Sequence, residues 1–506
     1  MRLEAYTVRN LEYYPDCGLT GRRKILSPVK EVTAENVRPV LEKALAVQSI
    51  NAGEIKYLYD FYKGKQDIRG KVKYARENIN NKVTVNRANE IVTFKTAYLL
   101  NAPIQYISSG GSDKVSKNVN RLNSFMHSED KESKDKEIID WVHICGVAER
   151  LCLPDAPLEK DGAPFGIYTI DPRHAFVIYN SGIGNKPIAG VILQVDEDDR
   201  QFATVYTPYK CFTVNGDTVT EELNRIGLIP LVEYVNNGAR LGAFEIVLSI
   251  LNNINVLESN AIDAVQEFVN GFDVFQDCDL EDGEYGKLSL GGQALFIKSN
   301  GMTPSKVYRI ASELNQSGVQ TRVDDLTDTY LTICGMPNRN GGTSTSDTGT
   351  AVIYRDGWSE AESRANDSEK MFKRSEREFL RIALTICDAH RESKLGLKLS
   401  DLKVDFLRKN LSNVQSKAQV LCELLGNDYI HPKDAYIAAS LFRDNEESYR
   451  RGMEWHEKQE AATESRLQEE LINARQSVAE NRPSNRRTER NSSTDVQEGE
   501  EEDSES

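Results

Sequence analysis

The chain has 506 residues, of which 28% are charged and 39% hydrophobic, and its formal net charge is −15. This composition is typical of soluble globular protein, and the acidic balance argues against a sequence-specific DNA-binding domain, which usually needs a basic face. The first residues lack the apolar stretch of a signal peptide, and no stretch reaches the roughly 18 apolar residues of a membrane-spanning helix. The sequence therefore predicts a protein made in a cytoplasm, without membrane contact.

The first half of the chain predicts helices followed by a β-rich segment. Residues 1–45 are predicted to form an N-terminal arm with one short helix. Apolar residues at helical spacing predict four helices in all, over residues 35–47, 52–63, 86–101 and 114–150. A strand is predicted over 104–108. Five short strands are predicted later, over residues 168–170, 175–179, 189–195, 202–206 and 211–214.

The second half predicts long helices around an acidic insert. A helix over 242–268 is apolar on more than one side, which predicts burial on several sides. The helix over 312–334 has one apolar face and aspartates on the other, and a glycine-rich loop over 337–350 follows it. The insert between these helices predicts strands over 272–276 and 294–298. Further elements are predicted over 351–392 (helix), 404–407 (strand), 413–425, 432–441 and 443–479 (helices), and 481–506 (a disordered acidic tail). The fold class is α+β, largely helical.

Motifs for catalysis or metal binding are weak. The acidic segment 277–288 resembles a calcium loop, but Asp282 stands where glycine is required and Leu288 where glutamate is required. The Gly341-Gly342 pair lacks the lysine of a phosphate-binding loop. Eight cysteines are scattered without zinc spacing and are read as reduced thiols, and His143 is predicted to be a packed side chain. The sequence predicts no enzyme, no metal and no cofactor.

A basic-aromatic region over 57–87 has two interpretations. Basic residues interleaved with tyrosines are able to form a stacking platform for single-stranded nucleic acid, which would indicate a soluble nucleic-acid-binding or processing protein. The same pattern fits a solvated linker, or a surface that meets an acidic neighbouring subunit. The region contains Lys63, Lys65, Arg69, Lys71, Lys73, Arg76, Lys82 and Arg87, with Tyr57, Tyr59, Tyr62 and Tyr74.

Four phrases, in order across about residues 45–450, together resemble the siphophage-type portal proteins of tailed bacteriophages. The resemblance departs from the family pattern at Asn101, where glycine is usual. The phrases are Tyr59 to Ile68 followed by Asn80-Asn81-Lys82 and Asn86; Ile91-Val92 through Tyr98-Leu99-Leu100-Asn101-Ala102-Pro103-Ile104; Ile229-Pro230 through Arg240-Leu241-Gly242 and Phe244-Glu245; and Met336-Pro337 through Thr348-Gly349-Thr350-Ala351.

The resemblance implies a homo-oligomeric ring, a dodecamer in this family, with wing, stem, clip and crown regions at the portal vertex of the virion. Double-stranded DNA would pass through its channel without sequence specificity. The implied partners are the terminase large subunit, head-tail connector proteins, and the major capsid and scaffold proteins. The implied regions are wing (46–240 and 351–410), stem helices (241–269 and 311–336), clip (270–310), tunnel loop (337–350) and crown (411–480).

Two residue sets follow from this assignment as expectations. An acidic channel wall would repel the DNA backbone, because affinity for phosphate comes mainly from Lys and Arg. The expected channel residues are Arg322, Asp324, Asp325, Asp328, Asn338, Arg339, Asn340, Thr343, Ser344, Thr345 and Asp347. The expected subunit-packing residues of the stem are Phe244, Leu248, Leu251, Ile254, Leu326 and Tyr330.

Overall fold

The computed structural model of the chain has two compact units, Met1–Ser412 and Asn413–Ser506. It describes residues 21–74, 77–109, 113–155, 162–269, 272–276, 294–297, 305–310, 316–338, 357–406, 414–439, 441–442 and 445–480. Over these residues the fold is α+β, as the sequence predicts.

The described part of the first unit combines long helices with short strands. Its helices are α1 Val37–Tyr62, α2 Arg87–Leu99, α3 Asp113–Ser128, α4 Lys131–Cys145, α5 Leu248–Val269, α6 Gln316–Cys334 and α7 Trp358–Ala389. Its strands are β1 Ile25–Ser27, β2 Gln105–Ser108, β3 Val147–Pro154, β4 Phe165–Ile170, β5 Ala175–Asn180, β6 Pro187–Val195, β7 Gln201–Tyr206, β8 Lys210–Asn215, β9 Thr218–Leu223, β10 Leu231–Val235, β11 Phe272–Gln276, β12 Ala294–Ile297, β13 Lys306–Ile310 and β14 Leu402–Asp405.

The helices predicted over 35–47 and 52–63 are one continuous helix, α1. The apolar pattern breaks at Gln48 and Asn51, but both side chains are buried and hydrogen-bonded. The Gln48 amide donates to the Pro172 carbonyl at 2.8 Å, and Asn51 exchanges hydrogen bonds of 2.8 and 2.9 Å with the Arg23 backbone. Polar residues therefore belong to the buried face of α1, which a hydrophobic pattern cannot register.

The single helix predicted over 114–150 is also wrong. Asp130 has a φ of 47°, in the left-handed region, and it separates α3 from α4. Gly146 has a φ of 84° and ends α4. A Cβ at Gly146 would lie 2.3 Å from the Arg240 carbonyl oxygen, so only glycine fits there. Strand β3 begins immediately afterwards, and its pattern was missed because Glu149 and Arg150 are buried in it.

Four sheets organise the described strands. The largest has the order β1-β5-β6-β7-β8-β9, in which only the β1–β5 pair is parallel, and α1 packs against it. A second sheet has the order β10-β3-β4, and β14 pairs with β2 in register Leu402 to Ser108. The fourth, β12-β11-β13, lies within the region between α5 and α6. The five strands predicted between 168 and 214 are confirmed.

A buried ion network joins α4, β3 and α7. Lys131 contacts Asp135 at 2.6 Å and Glu376 at 2.9 Å, and Arg150 contacts the same two carboxylates at 2.5 and 3.2 Å. The Tyr106 and Tyr234 hydroxyls each donate to Glu376 at 2.6 Å. All four charged side chains are 4% exposed or less. Each charge therefore meets an opposite charge where water is excluded.

The second unit contains three helices in its described residues: α8 Val414–Leu425, α9 Pro432–Ala439 and α10 Asn445–Glu480. A small cluster of Leu421, Ala435 and Ala439 holds α8 against α9. The helices predicted over 413–425, 432–441 and 443–479 are confirmed.

Candidate functional site

Helices α5 and α6 pack against each other and against the first two helices of the chain. Their shared cluster contains Leu251 and Ile254 from α5 and Val323 and Tyr330 from α6, together with Phe61 of α1. The helix predicted over 242–268 begins as a short 3₁₀ turn, Glu245–Val247, before α5. The strongly apolar character of α5 is thus explained by burial on several sides within one chain.

The residues expected to pack between subunits of the stem belong to this cluster, and their contact with a neighbouring subunit stays a prediction. Five of the six are buried within the single chain, and Leu326 is partly buried in the same cluster. The five are Phe244 (0% exposed), Leu248 (7%), Leu251 (1%), Ile254 (1%) and Tyr330 (0%). The large apolar side chains that remain exposed on these helices and the preceding turn are Ile246, Val256, Ile262 and Ile333.

The outward face of α6 is acidic. Asp324, Asp325 and Asp328 are exposed. Asp325 pairs with Arg322 at 2.6 Å, and both side chains are 61% exposed. Asp328 accepts a hydrogen bond of 2.9 Å from the side-chain amide of Asn338. Helix α6 contains three carboxylates and one cation, Arg322, so this face carries a net negative charge.

The remaining expected channel residues follow Asn338 in the chain. Arg339, Asn340, Thr343, Ser344, Thr345 and Asp347 lie outside the described residues. The glycine-rich loop predicted over 337–350 lies outside them too, apart from its first two residues. The structure therefore places together five of the expected channel residues: Arg322, Asp324, Asp325, Asp328 and Asn338.

One face of α5 binds an extended segment of the same chain. The backbone amides of Asn81, Val83 and Val85 donate to the side chains of Asp263 (2.7 Å), Ser259 (3.0 Å) and Asn255 (2.8 Å) respectively. Two residues of extended chain span about 6.7 Å, and four residues of helix rise about 6 Å. The two repeats nearly match, so successive amides meet successive polar side chains.

This contact was not predicted from the sequence. Its signal is the spacing of Asn255, Ser259 and Asp263, which are polar residues four apart in an otherwise apolar helix. All three residues are 3% exposed or less. Buried polar groups at one regular spacing indicate a regular row of hydrogen-bond partners.

The basic-aromatic region is tied to its own chain by the same helix. Lys71 pairs with Asp263 at 2.8 Å, and Lys73 pairs with Glu267 at 2.6 Å. Burial would raise the pKa of Asp263, but the hydrogen bonds from Lys71 and Asn81 outweigh it and lower that pKa to about 2. The acidic surface that these lysines meet therefore belongs to the same chain.

The tyrosines of this region do not form a stacking platform. Tyr59 stacks on Trp141 with ring centroids 4.9 Å apart, and Lys63 lies 4.6 Å from the centre of the Tyr59 ring. Tyr57 and Tyr62 pack against the shared cluster. Tyr74 has 93% of its surface exposed. A nucleic-acid platform needs several free aromatic faces, so this geometry counts against that interpretation.

His143 is packed, as the sequence predicts. It is 2% exposed, and its Nδ1 lies 3.1 Å from the Thr96 hydroxyl. Burial and the nearby charge of Lys95 lower its pKa to about 3. A histidine held neutral in this way is a structural side chain.

Among the described residues, no group of three or more His, Cys, Asp or Glu side chains is placed to hold a metal ion. In the same part of the chain, no helix is long and apolar enough to cross a membrane.

The family model described as "Phage portal protein, SPP1 Gp6-like" matches residues 44–470 of the chain. This chain belongs to the phage portal protein family. The portal family is structural and non-enzymatic, so the absence of a catalytic motif in the sequence agrees with the match. The matched span contains both α5 and α6, and with them the acidic outward face of α6. No curated protein matches the chain.

Proposed function

We propose that this portal protein forms a closed ring, a dodecamer, at one capsid vertex of a tailed phage or prophage, and that double-stranded DNA passes through its centre during packaging and ejection. The match to the portal family over residues 44–470 carries the proposal. Closed rings are the common result of a repeated head-to-tail interface whose rotation closes. The ring is a conduit, and a separate terminase large subunit supplies the ATP-driven force.

The proposal assigns α5 and α6, within 241–269 and 311–336, to the stem. The small sheet β12-β11-β13 lies between them in sequence and becomes the clip, over 270–310. The wing spans 46–240 and 351–410, the tunnel loop 337–350, and the crown 411–480. The clip would contact the motor and later the head-tail connector proteins, while the wing would contact the major capsid and scaffold proteins.

The acidic face of α6 is proposed to line the channel. DNA that slides must not be held, and phosphate affinity rises with each Lys or Arg contact. Asp324, Asp325 and Asp328 are exposed along about one helical turn, with Arg322 as a single cation among them. Their charge repels the DNA backbone within about 10 Å at ordinary salt.

Assembly is tested by negative-stain electron microscopy together with native mass measurement of the purified chain. Rings with a central hole and a mass near twelve times 56.9 kDa are expected. Some rings close only when other capsid components are present, so the measurement is repeated with scaffold and capsid proteins. A chain that stays monomeric in both experiments contradicts the proposal.

The channel wall is tested separately, with the variant Asp324→Asn, Asp325→Asn, Asp328→Asn. The expected result is slower DNA packaging with ring formation unchanged, because the neutral wall no longer repels phosphate. A matched control removes three negative charges from the exposed turn between β6 and β7, with the variant Glu197→Gln, Asp198→Asn, Asp199→Asn. If both variants package DNA at the wild-type rate, the repulsive-wall assignment is wrong even where the ring is confirmed.

A further inference from the structure

A cleft of about 780 Å³ lies between α7, strand β10 and the turn that joins β5 to β6. Ligand sites in proteins commonly have volumes of about 300–1,000 Å³. The α7 residues along the cleft run from Met371 to Ile382, so the cleft extends about 16 Å along the helix. Its dimensions suit a ligand larger than a single ion.

The lining is strongly basic in a chain whose net charge is −15. Six basic and two acidic side chains line the cleft. Three of the six cations are neutralised by carboxylates of the same chain. The neutralised pairs are Arg22 with Glu245, Arg240 with Glu233, and Arg381 with Glu378.

The other three cations have no carboxylate at ion-pair distance among the described residues: Lys24, Lys186 and Arg374. The Lys24 ammonium lies 4.3 Å from the centre of the Tyr179 ring. Burial and the neighbouring charge of Arg240 lower the pKa of Lys24, so the surroundings disfavour its positive charge. An anion bound there would relieve the repulsion.

Arg240 is held in place by its backbone as well as by its side chain. Its φ of 59° lies in the left-handed region, which a non-glycine residue rarely adopts. Its carbonyl accepts a hydrogen bond of 3.1 Å from the Arg22 amide, and its guanidinium reaches Glu233 at the edge of the cleft. This position is fixed from two sides, so the basic end of the cleft is formed before any ligand arrives.

The rest of the lining distinguishes between anionic ligands. Leu228, Ile229 and Met371 line the cleft with partly exposed apolar side chains beside the cations. Tyr179 is the single aromatic side chain lining the described cleft, and its hydroxyl donates to Glu233 at 2.7 Å while Lys24 covers its ring. Bases of single-stranded nucleic acid therefore find no free ring on which to stack. Apolar side chains that alternate with carboxylates match the lining better.

We propose that this cleft binds an extended acidic peptide segment of a partner protein, with its carboxylates on Lys24, Lys186 and Arg374 and its apolar side chains on the floor. An extended chain advances about 3.3 Å per residue, so about five residues fill the length of the cleft. Arginine pairs with carboxylates through two parallel hydrogen bonds, which favours Arg374 as the principal contact. All the side chains that line the site belong to one chain.

The test uses the full chain and fluorescence anisotropy with a labelled peptide of alternating glutamate and leucine. A peptide with glutamine at every glutamate position is the matched probe, and a labelled oligothymidylate represents nucleic acid. Binding of the glutamate peptide that weakens with salt is expected, with about tenfold weaker binding of the glutamine peptide.

The double variant Lys186→Gln, Arg374→Gln should weaken peptide binding about tenfold, since each exposed charge pair contributes modestly. Both side chains are exposed, so the fold is expected to be retained, and circular dichroism checks this. Lys114→Gln, Lys117→Gln on α3 removes the same charge away from the cleft and should leave binding unchanged. Arg374→Lys alone keeps the positive charge and loses the two parallel hydrogen bonds, so it should weaken binding less than the double variant does.

Two results overturn the proposal. In the first, the glutamate peptide fails to bind, or binds equally well to the cleft variant and the wild-type chain. In the second, oligothymidylate binds as tightly as the peptide and is weakened by the same variant, which would make the cleft a nucleic-acid site.

Discussion

The ion network around Glu376 predicts a large loss of stability when one charge is removed from it. Burial would raise the pKa of Glu376, but the charges of Lys131 and Arg150 and the hydrogen bonds from Tyr106 and Tyr234 outweigh it and lower the pKa to about 2. The ordinary value is 4.5, so the ionised form is favoured by the folded state by about 3 kcal/mol. This figure agrees with the loss of about 3–5 kcal/mol that follows when one member of a buried ion pair is removed.

The variant Glu376→Gln keeps the size of the side chain and removes the charge. We expect it to lower the free energy of unfolding of the first unit by about 3 kcal/mol, because Lys131 and Arg150 stay buried with one carboxylate, Asp135, between them. Glu378→Gln is the matched control on the same helix. Glu378 is exposed and pairs with Arg381, so its loss should cost no more than about 1 kcal/mol.

Urea unfolding followed by tryptophan fluorescence measures this difference. Of the three tryptophans, Trp141 and Trp358 belong to the first unit and Trp455 to the second. The background variant Trp455→Phe therefore restricts the signal to the unit that contains the network. A loss below about 1 kcal/mol for Glu376→Gln, equal to the control, would refute the argument that this network stabilises the fold.

The pH dependence gives a second measurement on the same variants. Because the pKa of Glu376 is lower in the folded state, its contribution is complete above about pH 4.5 and is lost as the pH falls towards 2. The wild-type chain should lose this contribution over that window, and Glu376→Gln should not. Parallel acid-unfolding curves for the two proteins would contradict the assignment.

Three further predictions concern other sites. Asp263→Asn removes the ion pair with Lys71 and should speed hydrogen exchange at the amides of 81–85 about tenfold, as measured by mass spectrometry. His143 has a pKa lowered from 6.5 to about 3, so stability should fall as the pH drops below 6.5, by up to about 1.4 kcal/mol per pH unit, and His143→Asn should flatten this slope. Peptide mapping after iodoacetamide treatment of the native chain should show fast labelling at exposed Cys422 and none at Cys145, whose pKa burial raises to about 12.

Each of these has a control and a contrary outcome. Glu267→Gln removes a partly exposed partner of Lys73 and should change exchange at 81–85 much less than Asp263→Asn; equal effects would mean that the row of hydrogen bonds on α5 is unimportant. An unchanged stability slope in His143→Asn would show that another group titrates. Labelling of Cys145 as fast as of Cys422 would contradict its burial.

Much of the fold was predictable because its signals are local. The five strands between 168 and 214 are separated by turn residues. The three helices of the second unit have apolar residues at helical spacing. Two of the failures occurred where the buried face is polar. Gln48 and Asn51 interrupt the apolar pattern of α1, and Glu149 and Arg150 interrupt that of β3. These polar side chains are buried because their partners come from other parts of the chain, which a local pattern does not reveal.

For the candidate site, the sequence predicted the exposed charges of α6 but not what covers the apolar residues of α5. The pattern of α6 correctly separates buried Val323 and Tyr330 from exposed Asp324 and Asp328. The apolar residues of α5 were assigned to contacts between subunits, but Leu251 and Ile254 are covered by the chain itself. A hydrophobic pattern reports that a side chain avoids water, and it does not report what covers it.

The amino-acid sequence by itself determined the α+β class, the order of most elements, and the resemblance to portal proteins that the family match then showed. These properties depend on residues close together in the chain. The tertiary structure alone decided that Lys71 and the backbone of 81–85 lie against α5, that Glu376 sits between Lys131 and Arg150, and that Lys24, Lys186 and Arg374 line one cleft. These contacts join residues far apart in sequence, and their energies depend on burial and geometry that exist only in the folded chain.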